Sequence, residues 1–125
     1  MINTILLYTG STILTLWGIA HIVATKPVVD GFGDISNDNK LVITQEWIAE
    51  GLTQAFVGIM VIILTARHEY SAAVFQEMII VMSVFMIALA VLTQLTGAKT
   101  PVIPFKICPF LLTGVVIMWL LGCYL

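Results

Sequence analysis

Residues 71–95 read SAAVFQEMIIVMSVFMIALAVLTQL, and no charged side chain follows Glu77 within that stretch. A helix rises about 1.5 Å per residue, so about 20 apolar residues cover a hydrocarbon core about 30 Å thick. The stretch meets that requirement. Working outward, three more do the same: Leu41–Ala66, LVITQEWIAEGLTQAFVGIMVIILTA; Pro101–Tyr124, PVIPFKICPFLLTGVVIMWLLGCY; and the N-terminal run from Ile2 to Thr25. Their aromatic residues Trp47, Tyr70, Trp119 and Tyr124 fall near span ends, as interfacial anchors do. The expectation is an all-α fold: one domain over residues 1–125, a polytopic up-down bundle of four transmembrane helices.

Composition agrees. The 125 residues are 60% hydrophobic and 10% charged, with a mean hydropathy of +1.08. A soluble domain carries about 25% charged residues, so this chain lacks the polar surface that water demands. Net charge is −2 with no basic cluster, which speaks against nucleic acid as a partner and against a polybasic anchor for anionic lipid. Cys108 and Cys123 fall on one expected helix, about 22 Å apart along its axis, too far for a disulfide. The N-terminal MINTILLYTG has no basic leader region, so the first run is expected to be a retained helix.

The connections are unequal. Arg67 to Tyr70 makes a tight hairpin between the second and third spans, and Gly97 to Thr100 joins the third to the fourth. The long connection is residues 26–40, KPVVDGFGDISNDNK, whose glycines, asparagines and aspartates mark a loop. Lys26, Lys40, Lys99 and Lys106 lie on its side of the membrane and Arg67 on the other. The positive-inside rule then places the long loop in the cytoplasm.

Ionisable side chains inside a span cost about 2.5–3.5 kcal/mol each at the bilayer centre, so each needs a reason. An up-down bundle brings them to one depth. His21 is late in the first span, Glu46 and Glu50 early in the second, Gln94 late in the third and Lys106 early in the fourth. At 100° per residue, Gly10, Leu14, Trp17, His21 and Thr25 share a face, as do Glu46, Glu50, Thr53, Gln54 and Val57. Gln76, Ser83, Ile87, Ala90 and Gln94 form a third stripe. Lys106 aligns with Phe110, Thr113 and Ile117, which turns Cys108 away from the interior. The candidate ligand-binding set is therefore Trp17, His21, Glu46, Trp47, Glu50, Gln54, Gln94 and Lys106, with His21, Glu50 and Lys106 at its heart. Two plainer readings compete: a buried Glu50–Lys106 pair that only sets helix register, and lysine and glutamate snorkelling to the interface. Gly51, Ala55 and Gly58 make a small-residue face suited to close helix packing.

Specific chemistries find little support. His21 with Glu46 and Glu50 is a weak metal set without HExxH, so no metal is expected. Two-histidine haem ligation fails because His21 and His68 fall at opposite faces. Asp34, Ser36 and Asp38 sit at the first ligand positions of a calcium loop, but Asn39 and Gln45 stand where glycine and glutamate belong. Gly31-Phe32-Gly33 can close a cavity mouth with Phe32 as an apolar plug. Pro109 should kink the fourth span near Phe105. No nucleophile–base arrangement is evident, so the expectation leans away from an enzyme and leaves any cofactor open.

The segment from Trp17 to Gly51, with AHIVATKPVVDGFGDISNDN followed by EWIAEG, resembles a family of small four-helix bacterial membrane proteins. In size and helix count the chain is similar to DoxX-like proteins and to four-helix lipid- or sterol-binding domains. The resemblance implies the fold and a bacterial inner (cytoplasmic) membrane, and it transfers no functional residue. The mid-helix glutamate that a small multidrug antiporter carries early in its first span is missing.

Three functional readings stay open. One is a polar intramembrane pocket for a lipid, quinone-like or other small amphiphilic ligand. Another is a proton or small-ion transporter or channel subunit that works past His21 and Glu50, in a homo-oligomer. A third is a structural subunit that presents the Gly51/Ala55/Gly58 face to a partner.

Overall fold

The computed structural model describes residues 1–67 and 72–125. The expected hairpin turn over Arg67–Tyr70, the Tyr70 anchor, the start of the third span at Ser71 and the haem comparison with His68 all involve residues 68–71, outside those described. The elements are α1 (Ile2–Val23), α2 (Thr25–Asp30), α3 (Asn37–Ala66), α4 (Ala73–Leu95) and α5 (Ile103–Tyr124), with a single 3-10 turn at Gly97–Lys99. Four of these, all but α2, are long and apolar enough to cross a membrane. The chain is an all-α four-helix bundle.

The first helix stops where the covalent chemistry requires it. Pro27 has no N–H to offer the carbonyl of Val23 and its ring crowds that group, so the backbone turns at Ala24 and α2 begins at Thr25. The region 26–40 is thus not one open loop. It holds α2, a turn in which Gly33 takes φ +73°, and the first residues of α3. Ser36 caps α3 by accepting a hydrogen bond from the Asn39 amide at 3.2 Å. Helix from Asn37 onward leaves no twelve-residue loop to wrap calcium, so that sequence match is a capping motif. At 30 residues, α3 is about 45 Å long, so its polar first turns extend beyond a hydrocarbon core of about 30 Å.

In lipid the apolar effect does not drive helices together; close packing does. The α1–α3 contact illustrates it. A Cβ added to Gly51 would stand 2.7 Å from the Gly18 carbonyl oxygen, and one on Gly58 would stand 2.7 Å from that of Ser11. The Gly51/Ala55/Gly58 face is therefore spent inside the chain, against α1, and is not free for a partner. A second close approach sets α1 on α5, where a Cβ on Gly122 would meet the Asn3 carbonyl at 2.9 Å.

Around the bundle α3 packs on α1, α1 on α5 and α5 on α4, but α3 and α4 scarcely touch. The ring has one open edge. Away from the loop end its interior is dry: Leu7, Leu14, Val61, Ile79, Met86, Leu112, Val115 and Trp119 are all at most 1% exposed. Trp119 is not an interfacial anchor. It lies within this core and its indole N–H donates to Ser11 Oγ at 2.9 Å.

The rotation of α5 corrects the sequence expectation. Cys108, Leu112, Val115, Val116 and Trp119 face inward, whereas Lys106, Phe110, Thr113 and Ile117 are exposed. The polar residue misled the reading: one lysine was taken to define the inner face, but five apolar side chains define it instead. Pro109 is carried within the unbroken helix and is itself buried.

Candidate functional site

The site is built at the loop end, where α1 and α3 diverge from their closest approach. Trp47 organises it. Its indole N–H donates to the His21 backbone carbonyl at 2.6 Å, a group that helix termination at Val23 leaves without an ordinary partner. Its ring stacks on the His21 imidazole, with centroids 4.3 Å apart and planes 17° from parallel. The edge of Phe105, from α5 across the bundle, meets the same indole at 5.1 Å and 82°. Trp17 completes the aromatic wall at 5.9 Å from the imidazole. Trp47 is thus an interior strut and not the membrane-surface anchor its position suggested.

One turn below, Glu50 lies against His21. Glu50 Oε2 is 3.8 Å from His21 Nε2, beyond hydrogen-bond length. Gln54 Nε2 donates to Glu50 Oε1 at 3.0 Å. His21 is 3% exposed and Gln54 fully buried, yet His21 Nε2 and Gln54 Oε1 have no hydrogen-bond partner among the described residues. Most buried polar atoms in folded proteins are paired, so this concentration marks the region as unusual.

Glu50 is also the link to the outside. Its side chain is 24% exposed and forms part of the wall of a cleft of about 410 Å³ at the open α3–α4 edge. On one side stand Glu46, Trp47, Ala49, Glu50 and Thr53 of α3; on the other stand Phe85, Leu89 and Leu92 of α4, with Phe105 behind and Phe32 at the loop end. Phe32 also lines an apolar hollow of about 390 Å³ between α2 and the Thr100–Val102 segment. It therefore borders both spaces, with its side chain exposed. A smaller chamber of about 110 Å³ lies behind the cleft, between Trp17, His21, Trp47 and Pro104.

Of the eight residues expected at the site, Trp17, His21, Trp47, Glu50 and Gln54 come together, and Glu46 joins them from the cleft wall. Gln94 and Lys106 do not. Both are exposed; Gln94 borders an outer α4–α5 groove with Phe110 and Thr113, and no ion pair joins Lys106 to Glu50 among the described residues. On α4 the buried stripe is Phe75, Ile79, Ser83, Met86, Ala90 and Thr93. Thr93 takes the inward place that Gln94 was assigned, and it and Trp17 face the Cys108 thiol. The cleft residues that the sequence reading passed over are Phe85, Leu89 and Leu92. Their i, i+4, i+7 spacing is a helix face, but on a helix apolar all round such a face carries no distinguishing mark.

Comparison with known proteins adds no assignment: no family model, curated protein or solved structure matches the chain.

Proposed function

We propose that this integral membrane protein binds a small or amphiphilic ligand in the lateral cleft between α3 and α4. The observation that carries the reading is Glu50: a carboxylate, one-quarter exposed, set in an otherwise largely apolar cleft at the α3–α4 edge, the most loosely packed of the four edges between spanning helices around the bundle. The cleft volume falls within the range of about 300–1,000 Å³ usual for small-molecule sites. Few polar groups among apolar walls is also the usual pattern, the former orienting a ligand and the latter holding it. A phospholipid, a quinone-like molecule or another small amphiphile can enter such a cleft sideways from the bilayer without crossing water.

The transport reading has less support. A proton or ion leaving Glu50 for the far side meets the dry half of the bundle, where Leu7, Leu14, Val61, Ile79 and Leu112 are fully buried. The partner-presenting reading loses its surface, since the Gly51/Ala55/Gly58 face is packed on α1.

Native mass spectrometry of the protein released from a neutral detergent tests the proposal. A retained amphiphile at one per chain, lost on Ala49→Phe, supports it. Ala49 is exposed on the cleft wall, so phenylalanine there fills the space without entering the α1–α3 contact. A wild-type chain that retains nothing under conditions that preserve its fold would remove the proposal.

A further inference from the structure

The hydrogen-bonding inventory of the cleft is one-sided. Its polar lining residues are Glu46, Trp47, Glu50 and Thr53. The two that own a donor have already committed it: the Trp47 N–H to the His21 carbonyl at 2.6 Å, and the Thr53 hydroxyl to the Ala49 carbonyl at 2.8 Å. What faces an entering molecule is two carboxylates, which when ionised only accept. Behind them Gln54 spends its amide N–H on Glu50, and the fully buried Gln54 Oε1 remains an acceptor without a donor.

The positive charge that sequence spacing promised is not there. Lys106 points out of the bundle, and Lys26 is on the surface with Asp30 at 3.6 Å. The nearest group able to carry positive charge is His21, whose Nε2 is 3.8 Å from Glu50 and unpartnered. Aromatic faces complete the setting: Trp47 and Phe105 meet edge to face at the back of the cleft, and Phe85 lies opposite on α4. Carboxylates with aromatic rings, in a medium of low dielectric and with no spare donor, suit an ammonium head through charge and cation–π attraction. They repel a head whose only charge is a phosphate, sulfate or carboxylate, and while ionised they offer a quinone carbonyl nothing to accept from.

We infer that the ligand of this cleft is an amphiphile that carries an ammonium group, with that ammonium between Glu46 and Glu50 and its alkyl chain along α4. The inference rests on the binding function proposed above. It is tested by titrating the full-length protein in dodecyl maltoside with dodecyltrimethylammonium, and separately with dodecyl sulfate, reading occupancy by native mass spectrometry. The expected result is one cation per chain, no competing binding of the sulfate, and affinity weakened about tenfold or more by Glu50→Gln, the loss of one charge-assisted contact. Glu50→Asp, which keeps the charge, should bind within a few-fold of wild type, and thermal unfolding of each variant shows that it is folded. Ammonium heads occur on lipids and on free hydrophobic cations. Retention of phosphatidylethanolamine over phosphatidylglycerol from mixed vesicles points to the lipid, and binding of the free cation without such retention points to the second source. Equal binding of sulfate, maltoside and ammonium heads, unaffected by Glu50→Gln but abolished by Ala49→Phe, overturns the cationic assignment and leaves the cleft standing. No binding of any amphiphile to the folded protein overturns both.

Discussion

Trp47 of α3 holds His21 of α1 by two different means, a hydrogen bond of 2.6 Å from its indole N–H to the His21 carbonyl and a stacked contact between the two rings at 4.3 Å. The pair adjoins the glycine seam, where a Cβ on Gly51 would stand 2.9 Å from His21 Cβ, and the imidazole lies beside Glu50. Replacing the tryptophan by phenylalanine keeps a stacking surface but removes the donor. The His21 carbonyl keeps the Thr25 hydroxyl at 3.4 Å, so Trp47→Phe should cost about 0.5–1.5 kcal/mol, the net worth of one hydrogen bond, and Trp47→Ala about 3–5 kcal/mol. Unfolding in mixed micelles measures both. A Trp47→Phe chain as stable as wild type would show that the hydrogen bond contributes nothing, and equal losses for the two variants would show the same of the stacked ring.

A second indole does similar work in the dry half. Trp119 Nε1 donates to Ser11 Oγ at 2.9 Å, and both residues are fully buried. Ser11→Ala leaves the indole N–H without a partner where no water reaches, and should lower stability by about 1–3 kcal/mol. Ser11→Thr retains the hydroxyl but adds a methyl, and should recover part of that loss. The comparison needs only thermal melts of the two variants beside wild type.

Two kinds of helical glycine give opposite expectations. Gly51 and Gly58 have no room for a Cβ, whereas one added to Gly114 meets nothing within 4 Å. Gly58→Leu should prevent α1 and α3 from docking and yield a chain that aggregates or fails to purify as a sharp species. Gly114→Ala should be neutral or stabilising by up to about 1 kcal/mol, the helix-propensity difference between the residues. Size-exclusion chromatography and melting temperature read both outcomes; a harmful Gly114→Ala would mean that this face is covered.

The rotation of α5 can be checked by thiol chemistry. Cys108 is 1% exposed, while Lys106, two residues earlier and near the helix start, is exposed. In a chain whose half-buried Cys123 is replaced by alanine, a small permeant maleimide should modify Lys106→Cys combined with Cys108→Ala, and should leave native Cys108 unmodified until the protein is denatured. The opposite pattern would restore the orientation expected from the sequence.

Most of the fold was legible because span length and hydropathy need no knowledge of neighbours. Helix rotation was not. On α5 the residues are apolar on every side, so Lys106 was the one mark available for orientation, and in the folded chain it points outward. Gln94 failed for the same reason, displaced by Thr93 one residue away. Where several marks agree the face is legible: Gly10, Leu14, His21 and Thr25 on α1 are all buried, and Glu50 and Gln54 on α3 meet through a hydrogen bond. The open α3–α4 edge had no sequence signal, because two consecutive helices are ordinarily neighbours in the bundle. The loop hid α2 because its glycines and aspartates were read as turn residues throughout, although Pro27 to Asp30 form a helical turn.

The central claim is that an amphiphile occupies the α3–α4 cleft against Trp47. It is tested most directly by fluorescence of a Trp17→Phe/Trp119→Phe chain, which keeps Trp47 alone of the three tryptophans, titrated with a brominated-chain alkyltrimethylammonium whose bromine quenches at short range. Quenching that saturates at one amphiphile per chain and disappears with Ala49→Phe is the result predicted here. Weak, non-saturating quenching that Ala49→Phe leaves unchanged would contradict it.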